Sequence, residues 1–313
     1  MTSKHIILSL FWSFVWSANA WAADRIKVIT TLPDFAWMAQ EIGGEFVEAK
    51  ALLRGTENPH YVDAVPDFIR LVADAKVVCV AGMDLEVGYM PAVLSKSGNA
   101  AVQPGGPGYC EIGKGVTALD KPTGPIDRSM GDVHPAGNPH FFLSPKSMAE
   151  GSQELVKALA RVDPPHAAQY EKAGAAFKTK MDNLSREIKA KLEPFRAAQQ
   201  GKPLLLEYHK EYAYFLADNG LLSYGSLEEK PGMPPSAGRL ATVGSAAKAA
   251  GVKLVLAADY NPEKTLQRFQ EISGIPPVIV PTMIQAKGPA TSYPELQKQI
   301  ADALLKALQA KGK

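Results

Sequence analysis

The 313-residue chain is sparing with the features that most often announce a function. Cysteine occurs only at positions 79 and 110, which is too few for a disulfide-dense scaffold and lacks the paired spacing of a zinc ribbon. There is no His-Glu-x-x-His sequence and no nucleophile elbow, so the usual signatures of a metallopeptidase and of a serine hydrolase are missing. Basic residues number 34 against 32 acidic ones, with no basic run, which argues against nucleic acid or an anionic membrane as the main partner. No low-complexity tract or short-period repeat occurs. Histidine is also scarce: there are six, and His5 lies in the leader described next.

The first residues read as an export signal. Lys4 supplies a short positive region, Ile6 to Trp16 an apolar core, and Ala18-Asn19-Ala20 and Ala20-Trp21-Ala22 overlapping small-x-small cleavage sites. The core falls short of the ~20 residues that a membrane-spanning helix needs. Residues 1–22 are therefore expected to be removed. With no cysteine near the cleavage site to carry a lipid, the expectation is a free protein in the periplasm. Export permits a disulfide between Cys79 and Cys110, while the strand-like run Val77 to Val80 around Cys79 equally fits a packed thiol.

Beyond the leader, short β-branched or apolar runs alternate with amphipathic stretches of helical length, the pattern of an α/β fold. Strands are expected at 26–30, 47–53, 77–80, 204–207, 254–258 and 278–280. Helices are expected at 34–42, 66–73, 85–96, 145–161, 210–219, 236–250 and 293–308, with another starting from Asn261 as N-cap and Pro262 at its first position. Residues 164–198 stand apart. Tyr170, Phe177, Met181, Leu184, Ile188 and Leu192 recur at helical spacing over a stretch that would extend roughly 45 Å. A helix longer than one small domain reads as a connection between two halves. The expected division is a lobe at 23–161, a linking helix at 162–199 and a lobe at 200–313. The halves can share a fold, although their sequences show no likeness.

Two loops carry nearly the same motif, Asn58-Pro59-His60-Tyr61 and Asn138-Pro139-His140-Phe141. Proline fixes its own φ and drives the preceding asparagine away from the α region, so each histidine sits in a stiff, extended loop. Open α/β sheets bind ligands beyond the carboxyl ends of their strands. His60 follows the second strand, His209 ends the run from Leu204, Asp259 ends the run from Leu254, and His140 leads into the next element. Three imidazoles and a carboxylate in one cleft suit zinc; the histidine-dominated set leans away from manganese. His166, near the start of the long helix, is expected to be a solvated surface residue. An enzymatic reading takes the same three histidines as a catalytic zinc site with Glu207 as general base.

Several stretches together resemble the metal-specific (cluster A-I) solute-binding proteins of ABC importers. Asn58-Pro59-His60-Tyr61 resembles the first ligand motif of that family. Gly131-Asp132-Val133-His134, with Gly137 to Pro145, resembles the second, and Tyr208-His209-Lys210 with Tyr214-Phe215 resembles the third. Glu228 to Ser236 resembles a stretch in one branch of the family. The resemblance implies two Rossmann-like α/β lobes joined by a rigid helix, with zinc (alternatively manganese) in the cleft between them and delivery to an inner-membrane permease. It implies a monomeric binding protein and not an enzyme, with His60, His140 and His209 as ligands. Where many relatives place a carboxylate after the last strand, this chain has Val280 to Gln285. Asp259 is the substitute expected here, with Glu207 or water as alternatives. His134 falls on a motif position as a supporting group or an alternative ligand. The acidic, histidine-rich loop of some zinc importers is absent.

Overall fold

The computed structural model describes residues 25–124, 130–131, 133–288 and 290–310. The expected leader, and Asp132 of the second motif, lie outside the described residues. The first half comprises β1 (Ile26–Thr30), α1 (Pro33–Gly43), β2 (Val47–Ala51), α2 (Pro66–Ala73), β3 (Val77–Val80), α3 (Met90–Ser97), β4 (Tyr109–Glu111) and α4 (Pro145–Val162). After α5 (Ala167–Lys191) and α6 (Glu193–Gln199) come β5 (Leu205–Glu207), α7 (Ala213–Asn219), β6 (Ser223–Ser226), α8 (Ala237–Ala249), β7 (Leu254–Ala258), α9 (Glu263–Ser273), β8 (Pro277–Val280) and α10 (Tyr293–Ala310).

The strands form two wholly parallel sheets, β2-β1-β3-β4 and β6-β5-β7-β8. Both orders are second–first–third–fourth, so the two halves do share a topology that their sequences hide. The central strands β3 and β7 are buried at every position, because helices cover both faces of a parallel sheet. That is why they read as unbroken apolar runs. The strands missed in the sequence, β4 and β6, lie at sheet edges and are built from Tyr-Cys-Glu and Ser-Tyr-Gly-Ser. Neither has an apolar run to betray it.

The long helix differs from expectation. α5 buries Tyr170, Phe177, Met181, Leu184 and Ile188 as its periodicity predicts, but it stops at Lys191. Leu192 leaves the helical path, and Pro194, which has no N–H to continue the ladder, opens α6 in its first turn. The helix expected over 85–96 begins only at Met90, with Pro91 in its first turn; residues 83–89 form turns, entered through positive φ at Gly82, Met83 and Asp84 (77°, 52° and 63°). α9 starts one residue late: the Asn261 side chain accepts a hydrogen bond from the Ala258 amide (2.8 Å), leaving Pro262 as N-cap. Ser236 caps α8 as expected, accepting from the Arg239 amide at 3.1 Å.

The lobes share one continuous core. Phe35, Met38 and Leu159 of the first half, Phe177 and Ile188 of α5, and Leu254, Tyr293 and Leu296 of the second belong to a single buried cluster. A smaller one, including Leu206, Val255 and Phe269, covers the other side of the second sheet. Polar bonds reinforce the junction: the Tyr293 hydroxyl donates to the Phe142 carbonyl (2.7 Å) and the Gln297 amide to that of Leu143 (3.1 Å). Trp37 stacks on Tyr293 with ring centres 5.6 Å apart. No helix among the described residues is long and apolar enough to cross a membrane.

Candidate metal centre

Parallel sheets place their strand ends on one side, and the loops leaving those ends meet between the lobes. His60 comes from the loop after β2, His209 follows β5 directly, and His140 opens a short 3-10 turn (His140–Leu143) ahead of α4. The two Asn-Pro-His motifs fold alike. In each, the asparagine side chain accepts a hydrogen bond from the histidine amide two residues on, at 3.0 Å. This is the turn that asparagine forms with its own backbone, stiffened here by the proline between. It explains why the same tripeptide occurs twice.

The three histidines converge. Each offers a ring nitrogen within 4.8 Å of the others, and the Nε2 atoms of His60 and His140 are 2.9 Å apart. His140 and His209 are buried, and His60 is partly so. The Nδ1 of His140 lies 2.9 Å from Asn138 Oδ1, and the Nδ1 of His209 lies 2.7 Å from Glu228 Oε2. Both partners are acceptors, so each Nδ1 carries the proton and each Nε2 keeps its lone pair. That is the form a metal requires, fixed by a neighbour that also sets the ring orientation.

Asn138 links the two sides of the cleft. Its side-chain NH2 donates to the Lys210 carbonyl (2.8 Å) and to Asp120 (3.2 Å), while its carbonyl accepts from the Tyr214 hydroxyl (2.7 Å). The loop that carries His140 is thereby tied to the residue after His209. A cavity of about 260 Å³ opens beside the site, with His134, His140, His209, Lys210 and Glu228 in its wall.

The electrostatics divide the imidazoles. Burial, with the positive charges of the other imidazoles, holds His60 and His140 well below the ordinary value of 6.5. Burial alone would also lower His209, but the hydrogen bond to Glu228 and the charges of Glu211, Glu228 and Glu207 outweigh it and raise His209. Behind His209, burial pushes Glu207 and Glu211 up to about 7.

Asp259 is not part of the three-histidine group among the described residues. Its Oδ2 accepts from the Gln285 side chain at 2.5 Å, and Gln285 donates also to the Gly55 carbonyl at 3.1 Å. Glu207 is occupied as well, accepting from the Ser223 hydroxyl (2.8 Å) and the Tyr212 amide (3.2 Å). His134 lies with its ring centre 5.2 Å from that of His60. His166 is not simply solvated: it stacks on Phe46 at 4.0 Å, and its Nδ1 lies 2.7 Å from Asp163. Cys79 and Cys110 are register partners on β3 and β4, both buried and both free thiols.

Sequence reasoning missed the Glu228 contact, since nothing in Glu228-Glu229-Lys230 says which imidazole it meets. It also read Asn58 and Asn138 only as residues before proline. Their repetition was the available signal for a side-chain role.

The family model for the periplasmic zinc-uptake complex component A, ZnuA, matches residues 28–307. The high-affinity zinc uptake system protein ZnuA of Brucella abortus (strain 2308) is 30% identical over 166 residues, 53% of this chain and 48% of that protein. The chain thus spans about half the length of that curated relative. The iron ABC transporter substrate-binding lipoprotein MtsA of Streptococcus pyogenes serotype M1 is 22% identical over 289 residues, 91% of this chain and 90% of MtsA. Among solved structures, a crystal structure of ZnuA superposes with a TM-score of 0.74 at 21% identity, covering 91% of this chain and 99% of the other. The solute-binding protein FpvC of Pseudomonas aeruginosa, in complex with Mn2+, gives 0.72 at 21% identity, covering 92% and 99%. At these identities the structural likeness shows the fold alone.

Proposed function

Since the chain belongs to the family of the periplasmic zinc-uptake component ZnuA, we propose that it binds one divalent transition metal ion between its lobes and delivers it to an ABC permease. Zinc is the proposed cargo and manganese the alternative. The observation that carries this reading is the convergence of His60, His140 and His209, their ring nitrogens within 4.8 Å of one another. Zinc bonds imidazole nitrogen at about 2.0–2.1 Å, so three nitrogens at that spacing surround one ion after small adjustments. A donor set of three imidazoles favours zinc over manganese, which prefers carboxylate oxygen.

The proposed setting is the periplasm, after removal of residues 1–22, and the working form is a monomer. Residues 23–161 and 200–313 act as the two jaws, with 162–199 behind them. The reading is of a binding protein and not of a hydrolase. Glu207, the general base that the enzymatic reading requires, already has both oxygens engaged by Ser223 and Tyr212.

The test is elemental analysis and zinc titration of the mature chain. One zinc per chain is expected. Alanine at His60, His140 and His209 together should abolish binding, and unchanged affinity in that triple variant would remove the site.

A further inference from the structure

The three-histidine group leaves one position of a tetrahedral metal unfilled, and neither carboxylate that the sequence offered reaches it. Asp259 is held by Gln285, and Glu207 by Ser223 and Tyr212. Among the described residues, His134 offers a further imidazole beside the group.

Imidazoles that share one tetrahedral zinc, at a Zn–N distance of about 2.0–2.1 Å, have ring centres roughly 5 Å apart. The three proposed ligands meet that figure: 5.0 Å for His60–His140, 5.2 Å for His140–His209 and 5.6 Å for His60–His209. His134 meets that figure toward His60 alone, at 5.2 Å. It also lines the cavity that His140 and His209 line, but it stands outside the group of three whose ring nitrogens lie within 4.8 Å of one another, so it reaches a shared ion only by swinging toward it.

Two glycines shape the loop that carries His134. Gly131 (φ 80°) and Gly137 (φ 114°) bracket it, both in conformations that favour glycine. A Cβ on Gly131 would meet the Pro231 carbonyl oxygen at 2.4 Å, and one on Gly137 the Leu119 carbonyl oxygen at 2.7 Å. The Gly137 amide donates to the His134 carbonyl at 3.1 Å, which closes the turn. Glycines at both ends thus let the loop press against the opposite lobe on one side and its own lobe on the other, with His134 between.

We propose that His134 is the fourth ligand of this site, an exchangeable imidazole that receives the metal from the cavity and completes its coordination beside His60. The proposal rests on the metal-binding reading above. His60 and His140 are each braced by the asparagine turn of their motif and His209 by its bond to Glu228, whereas His134 lies in the loop between Gly131 and Gly137. It is the ligand suited to leave first when metal is handed on.

Zinc K-edge X-ray absorption on the zinc-loaded mature chain, beside His134→Ala, decides the matter. Four imidazoles are expected in the wild type and three in the variant, with zinc passing to a chelator at least tenfold faster from the variant. Three imidazoles in both proteins overturns the inference, whatever the rates do. Should the variant fail to match the wild-type melting temperature without metal, the wild-type count decides alone: four supports the proposal and three ends it. A wild-type chain that takes up no zinc would instead sink the metal-binding reading itself.

Discussion

Tyr61, next to the first histidine, donates its hydroxyl hydrogen to the Gly232 carbonyl across the cleft at 3.0 Å. Gly232 in turn donates its amide to Glu228 Oε2 (2.9 Å), the same oxygen that takes the Nδ1 proton of His209. One short chain of bonds thus runs from the loop of His60 in the first lobe to the ring of His209 in the second. It joins cleft closure to the orientation of a ligand.

Tyr61→Phe removes the closing bond. Because Tyr61 is 60% exposed, its hydrogen bond is worth no more than about 1 kcal/mol. Zinc affinity should fall by about fivefold, through faster release and with an unchanged association rate. Stopped-flow transfer of zinc to a chelator measures both rates. A slower association with unaltered release would contradict the clasp.

Glu228→Gln keeps an oxygen beside His209 but removes the charge. Loss of such a partner behind a metal-bound histidine typically costs 10- to 100-fold in affinity. That loss is expected here, with little change in metal-free melting temperature. The raised proton affinity of His209 should fall at the same time, visible as a move of its NMR titration midpoint to lower pH.

The imidazole shifts set the pH dependence. His60 and His140 are held well below 6.5 and His209 is raised, so on acidification the first proton that zinc must displace is the one on His209. Affinity should decline with a slope of about one proton per zinc as pH falls through the raised value of His209. His60 and His140 add to the slope only well below pH 6.5. In the metal-free fold the signs separate. The unfolded chain takes up protons at about 6.5 that His60 and His140 refuse, so these two cost stability as pH drops below that value. His209 acts oppositely, its contribution complete below about 6.5 and lost as pH rises through its folded value. Chelator competition from pH 8 to 5 checks the binding slope, and a slope of three already at pH 7 would refute it.

Asp259→Asn should change zinc affinity by less than about tenfold, or 1.4 kcal/mol. The carboxylate is engaged with Gln285, and asparagine retains an oxygen for that bond. Calorimetric titration of the variant gives the answer. A loss of several orders of magnitude would bring Asp259 back to the metal.

Features that depend on neighbours along the chain were legible in the residues alone. The alternation of apolar runs and amphipathic stretches gave away most strands and helices, because burial on both faces demands continuous hydrophobicity in strands such as β7 and a periodic stripe in α5. Proline and asparagine beside His60 and His140 announced two stiff loops, and their bonding is local. Strands β4 and β6 stayed hidden because Tyr-Cys-Glu and Ser-Tyr-Gly-Ser contain no apolar run, and an edge position does not demand one. What stands beside each imidazole follows from the folded arrangement of the strands and lobes. Glu228 reaches His209 because β6 pairs with β5, and Gln285 captures Asp259 from 26 residues further along the chain. Such contacts are set by strand order and by the meeting of two lobes, and no periodicity or local bond encodes them.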